Sequence, residues 1–94
     1  MSRRPGAKAV KVQLILKCGR IDMYNMELIQ KEKLVLHHDP PYRLSQHTTY
    51  EESYLLSKET HIELHKLELD NKEEYNRRMD IIRENKKILE RTRK

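Results

Sequence analysis

Five histidines fall between Leu34 and Lys66, and the 94-residue chain has no others. His37 and His38 close the short apolar run Leu34-Val35-Leu36, while His61 and His65 stand four apart in the segment from Ser57 to Lys66. In a helix that spacing sets both imidazoles on one face, one turn apart, as metal ligands commonly stand. Strand side chains alternate between faces, so one of His37 and His38 can point at the helical pair while the other points elsewhere. A lone histidine in a small basic protein is usually an exposed or hydrogen-bonded residue; three or four that converge form a ligand set. Neutral imidazole suits zinc, nickel, manganese or iron better than magnesium. Two common zinc chemistries do not fit. A peptidase of the H-E-x-x-H type needs glutamate directly after the first histidine, where this chain has Ile62. Cys18 is the only cysteine, so it has no C-x-x-C partner for a zinc ribbon or finger and no partner for an intrachain disulfide; this fits a reducing compartment.

Bringing these side chains together takes a strand, a loop, a second strand and a helix. Lys33 to His38 reads as the first strand, stopped by Asp39-Pro40-Pro41 because proline offers no amide to a ladder. Tyr42 to Ser53 reads as a loop carrying an exposed His47, and Tyr54-Leu55-Leu56 as the returning strand. Ser57 suits an N-cap, with Lys58-Glu59-Thr60 as the first helical turn and Glu59 well placed for the helix dipole. That helix carries His61, Leu64 and His65 on one face and is interrupted at Leu69-Asp70-Asn71, where two poor helix formers adjoin. Beyond it, Tyr75, Met79, Ile82 and Leu89 form the stripe of an amphipathic helix, either docked on the domain or paired with a second copy as a homodimer. Upstream, Val10, Val12, Leu14 and Leu16 alternate with Lys11, Gln13 and Lys17, and only Ile15 breaks the pattern, which predicts a half-buried strand over Ala9 to Lys17. Ile21 to Ile29 reads as a short strand or an irregular turn. The chain thus divides into a basic arm (1–8), an α+β metal-binding domain (9–70) and a charged amphipathic helix (71–94).

With Phe and Trp absent and 37% of residues charged, the core must be thin, and a stabilising metal or self-association is expected. The sequence offers no run long enough to cross a membrane, and Ala9 to Leu16 is broken by Lys11 and lacks a small-residue cleavage site, so a cytoplasmic protein is expected. Charge is segregated. Residues 1–20 hold six bases and no acid, residues 21–65 four bases against eight acids, and residues 66–94 ten bases against seven acids. Basic arms around an acidic, histidine-lined centre suit a polyanion such as DNA, the arms holding phosphates and a cation supplying charge at the centre. Arg3, Arg4 and Lys8 would follow the backbone; Arg43, Lys58 and Lys66, beside the histidines, would hold flanking phosphates. Such contacts position nucleic acid without reading its bases.

From Leu34 to Leu67 the chain resembles the HNH, or ββα-metal (His-Me finger), endonucleases. The resemblance rests on the apolar strand entering His37-His38, the acid and prolines Asp39-Pro40-Pro41, and Tyr54-Leu55-Leu56 leading through a capped turn to His61-Ile62-Glu63-Leu64-His65. It is nearest to the colicin-type DNases, whose core likewise reads His-His-acid-x-Pro and ends in His-Ile-acid-Ile-His. The fold implied is a small α+β ββα-metal core, here with an N-terminal strand and a C-terminal amphipathic helix. The resemblance implies His37, His61 and His65 as ligands to one divalent ion (Zn, Ni, Mn or Mg) and His38 as general base. The reaction it implies is hydrolysis of phosphodiester bonds in weakly specific, double-stranded DNA, leaving 5′-phosphate and 3′-hydroxyl ends, as phages and mobile elements use. The family's middle Asn, which fixes the loop and orients the base, corresponds to Glu52; a carboxylate there can accept the same backbone hydrogen bonds but cannot donate one. The alternative expectations are a DNA-binding scaffold without catalysis and a protein-interaction module built around the C-terminal helix.

Overall fold

A computed structural model describes residues 7–38 and 49–92. Arg3, Arg4, Asp39-Pro40-Pro41, Tyr42, Arg43 and His47 lie outside the described residues. Among the described residues are three helices and one antiparallel two-stranded sheet: α1 (Ala7–Cys18), β1 (Leu34–His38), β2 (Ser53–Ser57), α2 (Lys58–Asp70) and α3 (Lys72–Thr92). The architecture is α+β. None of the described helices is long and apolar enough to cross a membrane.

The N-terminal segment is a helix, not the strand that its alternation predicts. Over a run this short, periods of 2 and 3.6 share many positions, and tertiary packing decides between them. Val10, Leu14 and Cys18, four apart, are 2%, 0% and 0% exposed, whereas Val12 and Leu16 point outward at 49% and 73%. Ile15, the residue that breaks the alternation, packs against the core as the helical neighbour of Leu14. Gly19 ends the helix at φ 82°, its N–H bonding back to the Ile15 carbonyl at 2.8 Å; a Cβ would disfavour that left-handed backbone. Lys8 therefore belongs to the first turn of α1 instead of a separate arm.

The hairpin pairs Leu34 with Ser57, Leu36 with Leu55, His37 with Tyr54 and His38 with Ser53. Ser53, Tyr54, Leu55 and Leu56 are all buried, so β2 is covered on both faces. Of the two readings of Ile21 to Ile29, a short strand or an irregular turn, the chain adopts the turn, closed by an isolated Ile21–Leu28 bridge. Its centre is Asp22, 1% exposed, whose Oδ1 accepts the N–H groups of Tyr24 and Asn25 while its Oδ2 accepts the Ser57 N–H at 3.1 Å and the Thr60 hydroxyl at 2.7 Å. One carboxylate thus clamps the turn onto the start of α2. Ser57 is both the last residue of β2 and the N-cap of α2, its Oγ accepting the Thr60 N–H at 3.3 Å, so no linker separates strand from helix.

Asn71 separates the two C-terminal helices and serves both. Its N–H bonds to the Leu67 carbonyl at 2.8 Å, and its Oδ1 accepts the Glu74 N–H at 3.2 Å to cap α3. Of the two arrangements open to the apolar stripe of α3, the chain adopts docking: Tyr75, Met79, Ile82 and Leu89 are buried in its own core. Polar side chains of the same helix reach further. Asn85 Nδ2 donates to the carbonyls of Met23 and Tyr24, and buried Lys86 donates to those of Tyr50 and Ser53.

Candidate metal centre

The hairpin carries His37 to the sheet face that β1 shares with Tyr54, and α2, rising directly from β2, carries His61 and His65 toward it. One nitrogen from each of the three rings lies within 4.8 Å of the other two. Three imidazoles can therefore hold one metal ion. The His61 and His65 rings are 4.4 Å apart between centroids and nearly perpendicular, with their Nε2 atoms 3.2 Å apart. His37 stands edge-on to both, at 5.4 Å from His61 and 6.2 Å from His65. Burial is graded, from buried His37 through half-buried His61 to exposed His65, so the site opens to solvent on the α2 side.

Electrostatics favour the neutral form of His37 and His61, the form that coordination requires. Burial, reinforced by repulsion from His61, His65 and His38, lowers the pKa of His37 from the ordinary 6.5 to about 3. Burial followed by repulsion from His65 and His38 also lowers His61. At the other nitrogen of His65, Nδ1, a Glu68 carboxylate oxygen lies 3.9 Å away, where it can steady the ring. A three-imidazole cluster anchored on a buried histidine is a donor set that fits a borderline divalent ion.

His38, the next residue along β1, turns to the opposite face, half-buried, yet remains close enough for its charge to be felt by His37 and His61. Its own pKa is lowered by burial, against which the Glu52 carboxylate pulls upward. Glu52 is thus near the candidate base, as its sequence position suggests. Its Oε1 accepts a 2.9 Å hydrogen bond from the Thr49 hydroxyl, and its N–H donates to the same oxygen at 3.3 Å. Lys58 and Lys66 flank the histidine pair on α2, exposed; Lys8 is exposed on α1, a different element.

Sequence patterns miss two residues of this site. Tyr75 from α3 shares a buried 3.1 Å hydrogen bond with His37 Nε2. The one sign of it is a tyrosine at a core position of an apolar stripe, where a buried hydroxyl must find a partner. Asp22, which fixes the start of the histidine helix, has no local signature. Comparison of the chain with family models, curated proteins and solved structures gave no match.

Proposed function

We propose that this protein is a metal-dependent DNA endonuclease or nickase of the HNH kind, acting in the cytoplasm. The observation that carries the reading is the convergence of His37, His61 and His65 to within 4.8 Å at the junction of a hairpin and a helix, with His38 the next residue in the strand. A divalent ion on the three imidazoles would supply positive charge against the phosphoryl oxygens of the substrate. His38 takes a proton from the attacking water, and its lowered pKa leaves it in the neutral form at neutral pH. Glu52 opposes that shift and orients the ring. Exposed Lys58 and Lys66 hold the flanking phosphates.

The test is nicking of supercoiled plasmid by metal-stripped protein with Mg²⁺, Mn²⁺, Ni²⁺ or Zn²⁺ added back in turn. His38→Ala is expected to bind metal normally and to lose cleavage by on the order of 10²-fold or more, while His65→Ala loses both. Equal cleavage by His38→Ala and wild type would overturn the assignment. One observation favours a second reading, a metal-stabilised DNA-binding or protein-interaction module without catalysis: Glu52 stands in place of Asn with its carboxylate engaged by Thr49. A salt-dependent gel shift without cutting under every metal would select it.

A further inference from the structure

We infer that the Tyr75 hydroxyl oxygen is the fourth protein donor of the metal centre, making it a three-imidazole, one-phenol site. The inference rests on the metal-binding part of the function proposed above and not on its catalytic part.

The argument is geometric. Donor atoms about 2.0–2.1 Å from a tetrahedral ion lie about 3.3 Å from one another. Two such edges are already present: His61 Nε2 to His65 Nε2 at 3.2 Å, and His37 Nε2 to the Tyr75 oxygen at 3.1 Å. The first edge belongs to α2, and the second joins β1 to α3. The His37 edge is buried, with Tyr75 3% exposed and His37 4% exposed, so an ion bound through His37 Nε2 would have this oxygen within reach. Tyr75 is also held in place. Its ring packs in the core with Met79 and Leu64, and its N–H bonds to the Asn71 carbonyl at 3.0 Å. On coordination the phenol O–H bond breaks, the proton leaves to solvent and the oxygen lone pair forms the new bond to the ion.

This donor set has a consequence for the choice of ion. Four protein ligands close a tetrahedral zinc site, whereas an ion that takes six ligands keeps positions for phosphate oxygens with all four in place.

The experiment titrates Cu²⁺ into metal-stripped full-length chain and follows the visible phenolate-to-copper charge-transfer band. Zn²⁺ affinity is then measured by competition with a chromophoric chelator. The wild type is expected to bind one equivalent of Cu²⁺ with the band. Tyr75→Phe, which keeps the buried ring, is expected to bind one equivalent without it and to hold Zn²⁺ about tenfold or more weakly. Circular dichroism of metal-free Tyr75→Phe confirms that the fold survives; the band in the wild type needs no variant at all. One equivalent of Cu²⁺ bound by the wild type without the band would overturn the proposal, even where Tyr75→Phe weakens Zn²⁺, because the hydroxyl would then act only through its hydrogen bond to His37. Cu²⁺ binding that His61→Ala leaves unchanged would overturn it together with the metal centre. A band lost in Tyr75→Phe, in a protein that never nicks DNA, would uphold the donor set and refute the nuclease alone.

Discussion

Burial and three neighbouring imidazoles make His37 a reluctant proton acceptor, and that reluctance reaches global stability. In the unfolded chain the ring titrates at the ordinary 6.5, while in the folded, metal-free chain it resists until about pH 3. Between those values the unfolded state binds a proton that the folded state refuses, so stability is full above 6.5 and falls as the pH drops. The slope is at most about 1.4 kcal/mol per pH unit for each such histidine, and His61 and His38 are shifted in the same direction. Most carboxylates do not titrate until below roughly pH 4.5, so the effect is isolated above that. The urea midpoint of metal-free protein is expected to fall between roughly pH 7 and 5; a midpoint that holds or rises would show that these rings accept protons without penalty. His61, His65 and one of His37 and His38 were legible from sequence because strand alternation and the i, i+4 spacing are local rules; the choice of His37 rested on the family resemblance. Asp22 was not, since its partners Ser57 and Thr60 lie 35 and 38 residues away and no local pattern encodes them. Tyr75 read as packing because periodicity records a ring and ignores its hydroxyl.

The elements divide along the same line. β1, β2, the cap at Ser57 and the break at Asn71 follow from capping residues, poor helix formers and β-branched or apolar runs; the structure starts β1 at Leu34 instead of Lys33 and extends β2 by one residue at each end, to Ser53–Ser57. The N-terminal segment failed because alternation and helical spacing cannot be told apart when valine and leucine occur at every second position and the strand has no neighbour to pair with. Its true face is set by what it packs on, and α1 lays Val10, Leu14 and Cys18 into the core. Substitution at adjacent pattern positions separates the two structures. Leu14→Ala is expected to cost about 2–5 kcal/mol and Leu16→Ala within about 0.5 kcal/mol, by thermal or urea unfolding. Similar losses at both positions would point back to a strand with Leu14 and Leu16 on one buried face.

At the scale of the whole molecule, a chain without Phe or Trp compensates for a thin core with long polar ties, and among the described residues α3 makes several of them. It meets His37 through Tyr75, Glu63 of α2 and the Tyr24 ring through Arg78, the turn at Met23 and Tyr24 through Asn85, and the entry to β2 through Lys86. The helix that sequence sets apart as a separate segment is therefore the member that joins the others. The junction at Ser57 and Lys58 works differently, as a rotary coupling. Because helix follows strand with no slack, the azimuth of α2 is inherited from the hairpin register, and His61 and His65 face His37 only at that phase. One alanine inserted between Ser57 and Lys58 would turn the helix by about 100° and advance it by about 1.5 Å. The expected result is a chain that keeps its helical circular dichroism but loses Zn²⁺ binding, and retained binding would mean the junction can absorb the extra residue. The site is thus tuned by an angle as well as by its ligands, and a length change at this one peptide bond detunes it without touching a ligand.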